Sequence, residues 1–200
     1  SQTIVLFLIF FPFIKTKLVT HSLYLHISRG VCLFFAALFF FIGFTKTDLA
    51  NATAIYKTSP IFLTLGSIFF LKETNFLVIK FLTVFLALIG ALIIINPSSS
   101  SFSIYSFFPL FAAISLAIFG LITRYFGERE NPLTSIIYTA LTGTILSSFL
   151  FAFFDWKPFV IQDIPFFVVI GTVSTLGHFL LIKAFQIEEA SNLASFSTVV

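Results

Sequence analysis

The chain has 200 residues, of which 58% are hydrophobic and 10% charged, with a mean hydropathy of +1.10. A soluble fold of this composition lacks the polar surface to cover itself, so the chain reads as a membrane protein. The net charge of +3 and pI near 9.1 do not make it a nucleic-acid binder, because the eleven Lys and Arg residues scatter at helix ends instead of forming a patch.

Apolar stretches recur near residues 4–14, 31–44, 53–71, 76–95, 107–123, 136–154, 166–182 and 193–200. Several approach the roughly 20 residues needed to cross a hydrocarbon core about 30 Å thick. The expected fold is an all-α polytopic membrane protein of about eight transmembrane helices. The alternation of barrel strands is missing, and lipid forbids unpaired backbone. The first stretch begins almost at Ser1, the last is cut at Val200, and the chain contains no methionine. It therefore reads as an internal fragment lacking helix at both ends, in which a signal peptide cannot be assessed. The 32 phenylalanines are bulky, lipid-compatible side chains and imply no cofactor. Cys32, the single cysteine, excludes an intramolecular disulfide and a cysteine-rich metal site.

Positive charge is retained on the cytoplasmic side during insertion. If the first loop is cytoplasmic, that side collects Lys15, Lys17, Arg29, Lys72, Lys80, Arg124, Arg129 and Lys183, against Lys46 and Lys157 opposite. Trp156, between Asp155 and Lys157, then reads as an outer interfacial anchor. Both termini of the complete protein are expected in the cytoplasm.

"NPSSSSFS" at residues 96–103 is an uncharged turn where one half of a duplicated transporter would hand over to the other. At a constant offset Ala50, Ala54, Tyr56 and Thr58 match Ala190, Ala194, Phe196 and Thr198, and an acidic loop precedes each segment, Asp48 before one and Glu188-Glu189 before the other. The charge rule makes the two segments cross in opposite directions, an inverted repeat. Chance matches between two segments rich in small residues would look the same.

Arg29-Gly30, "DLANATAIYKTSPIF" from Asp48, "FLKE" ending at Glu73, "LIGALIIINP" ending at Pro97, "FGLITRYF" through Arg124 and "GTVSTLGHFLLIKAFQIEEASNLASFS" from Gly171 follow one another in an order and spacing that resemble the EamA type of the drug/metabolite transporter superfamily. The family's Ser-Pro is kept at Ser59-Pro60, while Lys72 stands where the family has glycine before Glu73. The resemblance covers almost the whole chain. It implies ten helices in two inverted five-helix halves, truncated here at both ends. Residues 1–97 would form the first repeat without its first helix, and 104–200 the second without its last. It also implies a secondary transporter carrying a small metabolite by alternating access. The expected location is the bacterial cytoplasmic membrane, with a small-molecule substrate and the lipid bilayer as partners, no nucleic acid, and a homodimer left open.

The residues themselves point to three polar stripes on greasy helices. Thr53, Lys57, Pro60, Thr64 and Ser67 recur at helical spacing, as do Gly171, Ser174 or Thr175, and His178, and then Ser191, Ser195 and Thr198. They converge on a wet pathway or serve as close-packing and hydrogen-bonding faces. Ala113, Ala117 and Gly120 read as a packing face alone, and Pro60 and Pro109 as kink positions.

Lys57 is the sharpest signal. A charged lysine near mid-bilayer costs about 2.5–3.5 kcal/mol, so it should face water, a partner or a ligand, unless it snorkels to the interface. Facing the cavity, it would bind an anionic substrate, with Thr53, Thr64 and Tyr56 as hydrogen-bonding neighbours. His178 serves coupling or substrate contact, or is a neutral hydrogen-bonding residue. All acidic residues considered, Asp48, Glu73, Asp155, Asp163, Glu188 and Glu189, lie near span ends, which leaves a carboxylate proton relay unsupported. The rival readings are an intramembrane enzyme using Ser174 and His178, without any accompanying catalytic motif, and a structural membrane bundle.

Overall fold

A computed structural model of the chain describes residues 20, 22–73, 77–95, 103–127, 130–151 and 161–197, apart from the side chains at 77, 87–88, 91–92, 94–95, 151 and 195–197. Among these residues the fold is all-helical: α1 (Leu23–Lys46), α2 (Leu49–Tyr56), α3 (Ser59–Phe70), α4 (Leu77–Ile95), α5 (Phe107–Phe126), α6 (Pro132–Phe151), α7 (Ile164–Ile187) and α8 (Ala190–Ser197). Short 3-10 turns at Ile104–Ser106 and Ile161–Asp163 lead into α5 and α7. Among the described residues four stretches are long and apolar enough to cross a membrane: Leu23–Lys46, Ile104–Phe126, Pro132–Leu150 and Ile161–Ile187. The chain is an integral membrane protein. The expected span at 4–14, Lys15, Lys17, Arg129, Trp156 with its neighbours, residues 96–102 of the expected turn, and Thr198 lie outside the described residues.

One expected span differs in kind. Residues 53–71 are not one helix, because the ladder breaks at Lys57-Thr58 between α2 and α3. Pro60 has no N–H to give the Tyr56 carbonyl, and its ring crowds that carbonyl. The chain tightens instead: Thr58 N–H donates to Ile55 O at 3.0 Å and Ile61 N–H to Thr58 O at 2.9 Å, both three residues back. The Thr58 hydroxyl also donates to Ile55 O, at 2.6 Å. Pro109 does no such damage. It lies in the first turn of α5, where no intrahelical donor is needed, and packs on α1 at Gly43, whose missing Cβ leaves the room that the proline ring fills.

α5 is the centre of the bundle, packed most extensively on α1 and also against α2, α3 and α7. Lipid tails are as apolar as leucine, so close approach and shared hydrogen bonds hold such helices together. The expected Ala113, Ala117 and Gly120 face is buried accordingly, with Leu63 of α3 and Phe185 of α7 against Gly120. The outward faces of α4 and α7 are lined by Val78, Phe81, Phe85, Phe166, Val173 and Leu180, side chains that lipid accepts.

One end of the bundle is tied by charge. Arg124 at the end of α5 donates through Nε to Glu73 Oε1 at 2.9 Å and through Nη1 to Phe185 O at 2.9 Å. Lys80 in the first turn of α4 reaches Glu189 Oε2 at 2.7 Å and Glu73 O at 3.1 Å. Glu73 also accepts from Ala190 N–H at 3.4 Å, at the start of α8, where a carboxylate suits the helix dipole. Gln186 joins the same end to Gly127 O and Glu130 O, and Thr20 joins it to Glu130. The turn that presents Glu73 puts Lys72 at φ 56°, a left-handed conformation in which glycine is unstrained. The glycine of the family pattern therefore has a geometric reason here.

Candidate functional site

The most unusual side chain in the interior is Arg29. The sequence reading placed it at a helix end with the cytoplasmic charges, but α1 begins at Leu23, so Arg29 lies about 9 Å into the helix and is 1% exposed. Gly30 makes the position workable, since a Cβ there would stand 2.7 Å from Thr142 Cβ. α6 comes close enough for Arg29 to donate through Nε and Nη2 to Thr139 Oγ1, at 3.2 and 2.6 Å, and through Nη2 to Ser135 O. The guanidinium also lies over the Phe119 ring of α5, 5.4 Å from its centroid. Nη1 is buried without a hydrogen-bond partner, and among the described residues no carboxylate pairs with Arg29.

Arg29 lines a pocket between α1, α5, α6 and α7 together with Phe119, Ile136, Thr139, His178 and Ile182. In this conformation its free space holds about one water molecule. His178 was expected to matter, and it meets Phe119 edge-on at 6.4 Å. Its Nδ1 contacts Ser174 O at 2.9 Å, and because a carbonyl only accepts, Nδ1 carries the proton. That nitrogen then has no lone pair with which to activate the Ser174 hydroxyl, so the geometry gives the enzyme reading nothing. One turn before Arg29, His26 is fully buried between Phe126 and Tyr138, with Nε2 3.7 Å from Glu130 Oε2.

The other expected residues lie apart from this pocket's lining. Lys57 is exposed at the break between α2 and α3, with its N–H donating to Thr53 O. Thr53 turns its hydroxyl back to Leu49 O and Ala50 O at 2.8 and 2.9 Å. Tyr56 packs its ring on Phe40, 4.8 Å between centroids. Thr64 and Ser67 are buried in α3, where Ser67 donates to Thr64 O. The break therefore interrupts the continuous stripe expected from Thr53 to Ser67. Ser191 is buried beside Glu73, 3.5 Å from Oε2, in the ion-paired end. Ser195 lies in α8, its side chain outside the described ones. Arg29 and Thr139 were missed. The available signals were His26 and Arg29 three residues apart, hence on one helix face, and Ser135 and Thr139 four apart on another.

Residues 103–200 match the EamA-like transporter family. The chain is 26% identical over 193 residues to the S-adenosylmethionine uptake transporter of Rickettsia bellii, covering 94% of this chain and 66% of that protein. It is 28% identical over 177 residues to the riboflavin transporter of Brucella anthropi, covering 86% of this chain and 62% of the relative. Solute carrier family 35 member G1 of Mus musculus is 31% identical over 186 residues, covering 86% of this chain and 50% of the relative. The chain thus spans between half and two thirds of the length of these relatives. No solved structure gives a significant match. The second half of the chain is thus similar to the EamA-like transporter family.

Proposed function

We propose that the protein is a secondary transporter that carries a small metabolite across the membrane by alternating access. The observation that supports this best is the small pocket between α1, α5, α6 and α7, with Arg29, Thr139 and His178 among its lining residues, within a bundle whose outer faces are apolar. A water-soluble molecule crossing hydrocarbon needs such a place, and intramembrane charge is costly unless it serves one. The transporters named among the relatives agree with it, and the bacterial ones point to the cytoplasmic membrane.

In this reading residues 1–97 and 104–200 are two inverted halves of a ten-helix, 5+5 transporter. α2 and α8 support the pairing: each starts directly after an acidic residue, Asp48 before one and Glu189 before the other. α8 starts at the ion-paired end, whereas α2 runs toward it. The break after α2 supports a cavity-lining role too, since transporters place discontinuous helices at their binding sites. The ion-paired end is the closed end here and must part during transport.

Lys57 at that break is proposed to present positive charge to a small anionic metabolite, with Thr53, Tyr56, Thr64, Ser174, His178 and Ser195 as polar contacts. Reconstitution of the full-length protein with a metabolite panel including S-adenosylmethionine and riboflavin tests the transporter reading, which predicts saturable counterflow for at least one compound. Lys57→Gln should then weaken apparent affinity about tenfold, or about 1.4 kcal/mol. Unchanged affinity would make Lys57 an interfacial anchor, and absence of counterflow for every compound would remove the transporter reading itself.

A further inference from the structure

Arg29 is a buried cation with part of its hydrogen-bonding capacity unused, and its surroundings do not explain why a charge is there. A purely structural staple between α1 and α6 would satisfy groups that otherwise lack partners. Thr139 does not need Arg29, because its own hydroxyl donates to Ser135 O at 2.8 Å, which also serves that carbonyl. The acceptors Arg29 uses would stay hydrogen-bonded without it. By contrast, Nη1 has no acceptor, and the other strongly engaged cations, Lys80 and Arg124, each have a carboxylate at hydrogen-bonding distance. Removing a charge from water without a counter-charge is costly, and the cost is offset only if an anion arrives.

We propose that Arg29 is the anion-recognition residue of the pocket, and that the transported metabolite bears a carboxylate which docks on its guanidinium. This deepens the transporter reading and rests on it. Thr139 and Ser135 hold Nε and Nη2, so the guanidinium is oriented in advance and the N–H groups of Nη1 are left to donate to a carboxylate. Phe119 braces one face of the guanidinium and also meets His178, which places the imidazole at the other side of the same small space. The pocket has room for about one water molecule, so the carboxylate enters when the surrounding helices part. Lys57, exposed at the helix break, then acts earlier on the path, and Arg29 holds the anionic group inside.

The test is the melting of the full-length protein in lipid-free detergent with acetate, succinate, glutamate or inorganic phosphate, against choline chloride at matched ionic strength. At least one carboxylate should raise the wild-type melting temperature saturably. Arg29→Met should abolish that shift, and Arg29→Lys should retain it with a half-saturation about tenfold weaker, since lysine keeps the charge and loses the planar group that Thr139 and Ser135 orient. A saturable carboxylate shift that survives in Arg29→Met overturns the proposal. So does a wild type that responds to none of the carboxylates, or to phosphate alone. A wild type that shows saturable counterflow of a neutral or cationic metabolite but no carboxylate shift sinks this proposal and leaves the transporter reading intact.

Discussion

Two regions of this bundle hold buried or half-buried cations, and they treat them in opposite ways. At the ion-paired end Lys80 and Arg124 each meet a carboxylate, and Glu73 shares its oxygens with Arg124, the α8 backbone and Ser191. In the pocket Arg29 is more deeply buried than Arg124, and among the described residues it meets hydroxyl, carbonyl and ring but no carboxylate. A fully paired cluster joins α3, α4, α5, α7 and α8 and acts as a fastener. A cation left without its counter-charge is an unfinished interaction, and in the proposal above the transported metabolite completes it.

The largest effect is expected from cutting the fastener. Glu73→Ala leaves Arg124 and the start of α8 without their carboxylate, and breaking one side of a buried pair costs about 3–5 kcal/mol. Denaturation of the full-length protein in detergent reads this loss directly, and an unchanged midpoint would show that the cluster is not a fastener. Gly30→Val comes next, because the added side chain must push Thr142 and α6 away from α1, an overpacking cost of about 1–3 kcal/mol. The same displacement should weaken the bonds from Arg29 to Thr139, so any ligand response should fall along with stability. A variant that melts and binds like wild type would mean that the α1–α6 approach is not what positions Arg29. The smallest effect is a gain: Lys72→Gly removes left-handed strain of about 1–2 kcal/mol while adding about 0.5–1 kcal/mol of chain entropy cost, for a net stabilisation of about 0.5–1 kcal/mol. A lower melting temperature for Lys72→Gly would contradict this.

Composition and hydropathy made the all-helical membrane fold readable, and α1, α4, α5, α6 and α7 lie where the apolar stretches predict them. Pro60 also announced a local disruption, though hydropathy alone merged α2 and α3, because a turn of Lys57-Thr58 is too short to lower an averaged profile. The candidate site was less legible. His178 was found because a histidine within an apolar run is conspicuous, but Arg29 was assigned to a helix end because Leu23, Tyr24 and Leu25 do not stand out from the segment before them. The start of α1 depends on backbone geometry at Ser22, and only that start turns Arg29 from a helix-end charge into a buried one. Its partners on α6 are 106 and 110 residues away in sequence, and side-chain pairing over such separations leaves no local pattern.

The contrast between paired and unpaired cations is tested most directly by replacing each with the same apolar, flexible side chain and measuring melting temperatures of the full-length protein without ligand. Arg29→Met, Lys80→Met and Arg124→Met are the three variants. Exchanging a buried charge for an apolar group of similar length is often neutral or stabilising, whereas removing one partner of a pair strands the other. The account predicts that Lys80→Met and Arg124→Met melt below wild type, while Arg29→Met melts at or above it. A fall for Arg29→Met as large as those of the other two would contradict the account and make Arg29 one more structural fastener.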